Sequence, residues 1–365
     1  MARLGGLIEQ IRGVSYKPED VYDELGENSI ALLRANNIQD GLLNFDDVIY
    51  VNKKRVRDNQ LLKAGDILIC TSSGSRELVG KAAYVQEDLP MTFGAFCKVV
   101  RPKKIRSDYL GQFFNSPNYR QKISDSSAGA NINNIRNEHI DELDILLPTA
   151  DRQKYIAAVL EKLSSLISLR KQQLAKLDEL VKARFVEMFG DYRINDKGFE
   201  QYRGGELFKF SSGKFLPEEK RKEYGIPAYG GNGIAWYTDT SLIEYPTIII
   251  GRVGAQCGNI HLVTDPVWIS DNAIYIKEQK TDKYRLEFLS ELMIMMDFYQ
   301  YADFSGQPKI TQKPLEDMLY LVPSLELQGR FSSFVERISE QKLTIQRSLD
   351  KLEVLKKSLM QKYFG

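Results

Sequence analysis

An internal repeat constrains the fold of this chain more than any other feature of its sequence. A Phe-Gly pair at 189–190 recurs 175 positions later, at 364–365. The same shift matches several further residues: Ile135 with Ile310, Pro148 with Pro323, Gln153 with Gln328, Leu174 with Leu349, Leu177 with Leu352, and Leu180 with Leu355. A fixed shift of this kind indicates two copies of one structural unit.

Upstream of these positions the two copies match at a different shift. At a shift of 200 positions, matching residues are Gly5 with Gly205, Leu7 with Leu207, and Gly13 with Gly213. The two shifts differ by 25 residues, so the first copy contains about that many additional residues in its middle. Ends that agree and middles that diverge are expected if two copies share a scaffold but recognise different ligands.

The repeat divides the 365 residues into four segments. Residues 1–150 form a mixed region of strands and helices, 151–190 a long helix, 191–323 a second mixed region, and 324–365 a second long helix. A helical pattern over 284–298 predicts a shorter helix in the second mixed region. Apolar runs bounded by turn residues predict strands, and they occur at 48–51, 66–70, 95–100, 247–250 and 273–276.

The two long helical segments have the pattern of a coiled coil. With alternating spacings of four and three residues, eight of ten positions are apolar from 156 to 188, and again eight of ten from 331 to 363. Sustained heptads favour a helix–helix seam, and each helix would be about 55 Å long. Two such helices in one chain most simply pair with each other in antiparallel orientation. The alternative is that each helix belongs to its own local bundle.

Composition excludes several classes of protein. Fifty basic and 49 acidic residues give a net charge of +1, so any nucleic-acid surface must be local. Three scattered cysteines exclude a disulfide scaffold and a cysteine zinc site, and two histidines exclude a histidine-rich metal site. Residues 1–10 lack the apolar core of a signal peptide, and no apolar run approaches the ~20 residues of a membrane span. We therefore expect a cytoplasmic protein without membrane association.

A search for catalytic motifs finds only near matches. The segment from Gly74 to Lys81 resembles a phosphate-binding loop, but it has one residue too many, and Ala82 stands where a magnesium-binding hydroxyl is required. Asp265 and Pro266 resemble the start of an adenine methyltransferase motif, but the second proline is missing. The sequence therefore predicts a chain that is not itself an enzyme. An enzyme with an unrecognised motif remains the alternative.

Glycine- and amide-rich loops follow the predicted strands in both copies. Arg, Asn, Gln and Ser side chains can pair with base edges, lysines can contact phosphates, and glycine allows close backbone approach. In the first copy the candidate DNA-binding residues are Lys53, Lys54, Arg55, Arg57, Ser72, Ser75, Arg76 and Asn133. In the second copy they are Tyr229, Asn232, Arg252, Gln256, Gln307 and Lys309. The alternative for each glycine-rich loop is an ordinary tight turn, and the alternative for the basic cluster at 53–57 is a solvated face.

The whole chain resembles the specificity subunits of type I restriction–modification enzymes. The resemblance rests on the repeat, on the proline and glutamine that open each long helix, and on segments 227–234, 248–254, 270–273 and 305–307. Arg152 and Leu327 stand where the family usually has an acidic residue, and the loops of the first copy match less well.

This resemblance implies an α+β fold with a pseudo-twofold repeat. Two similar mixed α/β target-recognition domains would each be followed by a long helix, with the two helices paired as an antiparallel coiled coil. Each domain would read one half of a bipartite, asymmetric site on double-stranded DNA. Two methyltransferase subunits would dock on the chain, and motor–nuclease subunits can join them. S-adenosylmethionine, ATP and magnesium are expected on those partners, and no cofactor on this chain.

Two alternatives from other functional classes remain at the level of sequence. The chain could serve a related DNA modification or defence system that uses a similar recognition subunit. It could also be a coiled-coil scaffold whose globular regions bind protein and not DNA.

Overall fold

The computed structural model describes residues 1–75, 77–126 and 133–365, with the backbone alone at 126 and 133. The chain divides into two compact units. Unit 1 comprises residues 1–171 and 347–365, and unit 2 comprises residues 172–346. Each unit therefore contains one globular region together with segments of both long helices.

Unit 1 contains many short strands and three short helices before the first long helix. The strands are β1 (Ala2–Arg3), β2 (Ile8–Arg12), β3 (Val21–Tyr22), β4 (Ser29–Leu33), β5 (Ile38–Gln39), β6 (Leu42–Leu43), β7 (Ile49–Asn52), β8 (Ile67–Cys70), β9 (Ser72–Ser73), β10 (Ala82–Tyr84), β11 (Met91–Phe93), β12 (Cys97–Pro102), β13 (Asn133–Asn134) and β14 (Asp144–Ile145). The helices are α1 (Ser107–Phe114), α2 (Pro117–Ser126), α3 (Asn137–Asp141) and the long helix α4 (Ala150–Phe189).

Two four-stranded sheets form the body of unit 1. One has the strand order β10-β8-β12-β2 and is antiparallel; the other has the order β11-β4-β7-β3, with β11 and β4 parallel. The central strand β8 is apolar and buried at every position. Ile67 and Ile69 pack into the core that α1 and α2 cover, whereas Leu68 and Cys70 pack into a second core on the opposite face. A strand that is buried on both faces needs such a continuous apolar run.

Unit 2 repeats this plan with fewer elements. Its strands are β15 (Glu200–Arg203), β16 (Phe208–Ser212), β17 (Ile226–Gly230), β18 (Gly233–Thr238), β19 (Thr247–Gly251), β20 (Ile260–Val263), β21 (Trp268–Ile269), β22 (Ala273–Gln279) and β23 (Leu319–Val322). Its helices are α5 (Gly204–Leu207), α6 (Leu286–Met296), α7 (Gln312–Asp317) and the long helix α8 (Leu325–Phe364).

The sheets of unit 2 follow the order found in unit 1. The larger sheet runs β16-β22-β19-β20 and the smaller sheet β18-β17-β21, with β17 and β21 parallel. The central strand β19 alternates as β8 does: Ile248 and Ile250 face the core under α6, and Ile249 faces a second core. The repeated sequence therefore folds into a repeated topology.

Positions related by the shifts of 200 and 175 residues make the same backbone hydrogen bond in both units. The amide of Leu4 donates to the carbonyl of Leu143, and the amide of Gly204 donates to the carbonyl of Met318. The additional residues of the first copy lie in its loops. Sixteen residues separate the paired Leu32 and Ile49, whereas seven separate the equivalent pair in the hairpin of β17 and β18.

Within each unit, segments of the two long helices run antiparallel. In unit 1, the Arg152 guanidinium lies over the Tyr363 ring at 5.8 Å, and Lys171 pairs with Glu353 at 3.1 Å. In unit 2, Phe185 of α4 contacts Phe331 of α8, with ring centroids 5.6 Å apart. The expected fold class, with two similar mixed domains and a long helix after each, is confirmed. No helix in the described ranges is long and apolar enough to cross a membrane.

The glutamines that open the long helices have a structural role. Gln328 is fully buried; it accepts a hydrogen bond from the Arg285 amide at 2.9 Å and donates to the carbonyls of Lys283 and Pro323. Gln153 likewise accepts from the Arg106 amide at 3.0 Å. A buried side-chain amide is stable only when its donors and acceptors are paired. Each glutamine thus joins the start of a long helix to the backbone just before α1 or α6.

Candidate nucleic-acid interface

Three chain segments meet at one end of the sheets of unit 2. The amide of Arg252, just after β19, donates to the carbonyl of Asn272 at 2.9 Å, and the Arg252 carbonyl accepts from Ile310 at 2.9 Å. The Gly254 amide donates to Pro308 at 2.8 Å. We call this region, residues 231–232, 252–259, 270–273 and 303–310, tip 2.

Glycine allows the turn between β17 and β18 to lie on the end of β19. A Cβ atom on Gly251 would lie 2.5 Å from the carbonyl oxygen of Gln256 and would also collide with the carbonyl of Gly231. A side chain at this position would push the two segments apart. The glycine-rich sequence of these loops therefore reflects close backbone packing within tip 2.

The polar side chains of tip 2 lie close together. The Asn259 amide group donates to Gln256 at 2.8 Å and to Asn232 at 3.4 Å. Arg252 is half-buried, and its guanidinium donates to the Asp271 carbonyl at 3.3 Å. Asn232 and Gln256 are exposed. The result is a surface of one guanidinium and three amides held by backbone and side-chain hydrogen bonds.

The loop 303–310 adds the remaining predicted residues to this surface. Gln307 is exposed, and its amide nitrogen would lie 3.5 Å from a Cβ placed on Gly254. Lys309 is paired with the Asp303 carboxylate at 3.8 Å, with about half of each side chain exposed. An exposed pair of this kind is weak, so the lysine can exchange its partner for a phosphate at little cost. The structure thus brings five predicted residues together: Asn232, Arg252, Gln256, Gln307 and Lys309.

Tyr229 has a different place from the other predicted residues of unit 2. It is half-buried in β17, its ring centroid lies 5.7 Å from that of His261, and burial raises the pKa of its phenol. Burial also lowers the pKa of His261. Tyr229 therefore packs against the second core of unit 2, and its carbonyl accepts from the Ser270 amide of tip 2 at 2.9 Å.

Unit 1 has an equivalent region built by the same backbone contacts. The Thr71 amide donates to the Phe96 carbonyl at 2.9 Å, as that of Arg252 does to Asn272, and the Thr71 carbonyl accepts from Ile135 at 2.8 Å. Ser72 pairs with Asn134 in the two-stranded sheet of β9 and β13. We call residues 71–75, 94–97 and 133–135 tip 1.

Four predicted residues of the first copy lie in or next to tip 1. The side chains of two of them are described, one has only its backbone described, and one is not described. Ser72 is half-buried and Ser75 is exposed. Asn133 lies in β13, where its backbone pairs with that of Ser73. Arg76 lies outside the described residues.

The predicted basic cluster of the first copy is separate from tip 1. It follows β7, whose last residue, Asn52, pairs with Ser29 at the start of β4, whereas the turn of tip 1 follows β11, which pairs with the end of β4. Lys53 donates to the Glu27 carbonyl at 2.7 Å, and Arg55 binds Asp20 at 2.9 Å and lowers the pKa of that carboxyl. Lys54 and Arg57 are exposed at the same end.

Several residues of the tips have no counterpart in the sequence-based prediction. Asn259 and Phe96 carry no motif that would single them out. Asn134 has such a signal in the sequence, because the 175-residue shift aligns it with Lys309. The structure agrees with this alignment, since Val253 pairs with Lys309 as Ser72 pairs with Asn134. Among the described residues, no group of three or more His, Cys, Asp or Glu side chains is placed to hold a metal ion.

Comparison with known proteins assigns the chain to a family by sequence. Residues 3–179 and 196–355 match the family described as type I restriction modification DNA specificity domain. The EcoKI specificity subunit of Escherichia coli K12 is 39% identical over 250 residues, which are 67% of this chain and 52% of that protein. The StySPI specificity subunit of Salmonella potsdam is 40% identical over 173 residues, 47% of this chain and 37% of that protein. The chain thus spans about half, or less, of the length of these relatives.

Solved structures have the same fold at low sequence identity. The specificity subunit of a type I restriction–modification system from M. genitalium has a TM-score of 0.63 and 19% identity, and the match covers 100% of this chain and 95% of that one. A chain from a study of assembly and conformational transition of the type I system has a TM-score of 0.55 and 16% identity, with coverages of 100% and 99%. With both halves matched by one family, the chain belongs to the type I restriction modification DNA specificity domain family.

Proposed function

We propose that this chain is a non-catalytic DNA-recognition subunit of a type I restriction–modification complex. Tip 1 and tip 2 would each read one half of a bipartite, asymmetric site on double-stranded DNA. One observation carries the proposal: the two tips share their backbone hydrogen bonds but differ in their side chains. Two copies with a purely structural role would have no need of different exposed chemistry at equivalent positions.

The side chains of tip 2 suit direct reading of base edges. Arg252 uses one of its five donors on a backbone carbonyl, which orients the guanidinium and leaves donors for the two acceptors of a guanine. The amides of Asn232, Gln256 and Gln307 can pair with adenine. Lys309 is placed to contact a phosphate, which positions the duplex but carries no sequence information.

The chemistry of tip 1 differs at the equivalent described positions, where Thr71 replaces Arg252 and Asn134 replaces Lys309. Ser72, Ser75 and Asn134 can donate to or accept from base edges in the major groove. The separate basic cluster, with Lys54 and Arg57 exposed, would contact phosphate away from the base-reading surface.

The long helices would set the unread spacer and dock two methyltransferase subunits. Each has 40 residues, or about 60 Å of helix. Apolar side chains are exposed along them: Leu166, Leu169, Val354 and Leu355 in unit 1, and Leu180, Val186 and Leu343 in unit 2. Exposed apolar rows suit a partner protein. S-adenosylmethionine, ATP and magnesium would be bound by partner subunits, motor–nuclease subunits could join, and the complex would act in the cytoplasm.

Mapping of N6-methyladenine tests this proposal directly. The chain would be expressed with its methyltransferase subunit in a methylation-free bacterial host. Expression of the methyltransferase alone in the same host is the control. A split motif with a fixed gap, present only with this chain, is the expected result. Identical methylation with an active methyltransferase would contradict the proposal and favour a scaffold role.

Arg252→Ala tests the assignment of tip 2, with methylation mapping to follow its half-site preference and titration of duplex DNA to measure its affinity. Loss of a bidentate contact to guanine costs about 1–3 kcal/mol, so we expect a loss of about fivefold to 150-fold in affinity and relaxed preference at one position. Arg203→Ala is the matched control, because Arg203 lies in β15, outside tip 2. Unchanged half-site preference in Arg252→Ala would remove this residue from the interface.

A further inference from the structure

The turn of tip 1 presents a large apolar side chain to solvent. Residues 94–96 connect β11 to β12, and the side chain of Phe96 is 71% exposed. The apolar residues Phe93, before the turn, and Cys97, after Phe96, are buried. Single exposed apolar residues are common on protein surfaces, so exposure alone assigns no role to Phe96.

The backbone of Phe96 is held firmly in place. Its carbonyl oxygen accepts three hydrogen bonds: from the Thr71 amide at 2.9 Å, the Thr71 hydroxyl at 3.1 Å and the Ser72 amide at 3.2 Å. The turn is closed by a bond from the Cys97 amide to the Gly94 carbonyl at 2.8 Å. A side chain on such a fixed backbone loses little freedom on binding. Phe96 is therefore positioned beside Ser72.

The equivalent position in tip 2 is Asn272, whose side chain is exposed. There the carbonyl of Asn272 accepts from the Arg252 amide, and the turn is closed by a bond from Ala273 to Ser270. The same backbone site thus carries an amide side chain in one tip and an aromatic ring in the other. The ring cannot pair with a donor or acceptor on a base edge. In the major groove, the feature that an apolar side chain reads is the C5 methyl group of thymine.

We propose that Phe96 is a specificity-determining residue of tip 1 that contacts the C5 methyl of a thymine in its half-site. This inference rests on the proposed DNA-recognition function. Ser72, whose amide donates to the Phe96 carbonyl, and Asn134, which pairs with Ser72, would read the adjacent base edges. Phe96 thereby selects an A·T pair in one orientation through the methyl group of its thymine.

The test uses the full chain with its methyltransferase subunit and duplexes that carry the mapped motif. Each thymine of the tip 1 half-site is replaced in turn by uracil, which lacks only the methyl group. At one position we expect about fourfold weaker binding by the wild-type chain, the worth of one buried methyl group. Phe96→Ala should bind the thymine duplex about fivefold to tenfold more weakly and should not distinguish uracil from thymine. Phe96→Leu should retain part of the discrimination.

The half-site read by tip 2 serves as an internal control for folding, because it should be unchanged in both variants. Unaltered tip 1 preference and affinity in Phe96→Ala would overturn the inference. It would also be overturned if Phe96→Ala bound DNA more weakly but had the same ratio of affinities for the thymine and uracil duplexes as the wild-type chain. That is the behaviour of a ring that inserts between base pairs. Absence of any bipartite motif with the wild-type chain would instead contradict the proposed function itself.

Discussion

Tip 1 and tip 2 have one backbone arrangement and two different surfaces. In tip 1 the Thr71 carbonyl accepts from Ile135, and the Thr71 amide donates to Phe96 in the closing turn. In tip 2 Arg252 makes the same two bonds, to Ile310 and to Asn272. On this common frame, Thr71 stands for Arg252, Asn134 for Lys309 and Phe96 for Asn272. Because the frame is held by main-chain hydrogen bonds, the side chains are free to differ. The comparison shows how one backbone arrangement can present two different surfaces.

The loop at residues 33–48 is a second difference between the units. In unit 2 the equivalent connection is the tight turn that carries Asn232. In unit 1 it contains the hairpin of β5 and β6, whose Gly41 carbonyl accepts from Tyr84 at 3.2 Å, and a network in which Asp47 accepts from Arg34 and Asn36. The longer connection has its own hydrogen bonds and adds surface to unit 1, so it enlarges the domain without altering the sheets.

The largest expected effect concerns a glycine that precedes each tip. A Cβ on Gly13 would collide with the carbonyl of Gly94, and a Cβ on Gly213 with that of Ser270; both carbonyls begin the closing turns. We expect Gly13→Ala and Gly213→Ala each to lower the free energy of unfolding by about 1–3 kcal/mol, the usual cost of overpacking. Denaturant unfolding followed by circular dichroism measures this cost.

Matched controls come from glycines in open space. A Cβ on Gly6 or Gly306 would have no neighbour within 4 Å, so alanine there should be tolerated. Both tryptophans, Trp236 and Trp268, lie in unit 2, so their fluorescence follows the unit that Gly213→Ala disturbs. If Gly213→Ala were as stable as Gly306→Ala, the close approach at the base of tip 2 would not restrict this position.

A smaller effect concerns the charge difference between the tips. Removal of one lysine–phosphate interaction reduces the slope of log affinity against log salt by about 0.9. We expect this reduction for Lys309→Ala and no change for Asn134→Ala, while Asn134→Lys should increase the slope by about the same amount. Titrations of duplex DNA at several salt concentrations give the three slopes. Equal slopes for Lys309→Ala and the wild-type chain would show that Lys309 does not bind a phosphate.

The smallest effect is a pH dependence confined to unit 2. Burial lowers the pKa of His261 below its ordinary value of 6.5, so the unfolded chain binds the proton more readily. Unit 2 should therefore be fully stable above about pH 6.5 and lose stability as the pH falls below it. The equivalent residue of unit 1 is the buried Ala83, which cannot titrate. Tryptophan fluorescence between pH 7.5 and 5.5 should show this dependence, and His261→Ala should remove it. An identical dependence in His261→Ala would assign it to another group.

Local patterns in the sequence were sufficient for much of the fold. The apolar runs at 66–70 and 247–250 predict the buried central strands, because a strand covered on both faces must be apolar throughout. The heptads predict the long helices, because a helix that packs against another helix must be apolar along one face. The glutamines at 153 and 328 were visible as a repeat, but their role became clear only from their buried hydrogen bonds.

The candidate site depended more on tertiary structure. Loop composition identified Arg252, Gln256 and Lys309, since glycine and polar residues cluster where strands end. The same reasoning joined Lys53 and its neighbours to Ser72, although they lie at different ends of β4. A run of charges carries no information about which end of a strand it will occupy, and Phe96 has no local signal at all.

The sequence by itself determined the repeat, the family and the alternation of apolar residues that builds two similar sheets and two long helices. These follow from periodicity, which is local along the chain. Only the tertiary structure decided which side chains form each tip, because a tip joins segments about 20 to 65 residues apart through main-chain hydrogen bonds. Such bonds do not depend on side-chain identity, so the sequence of the tips can change while their frame remains.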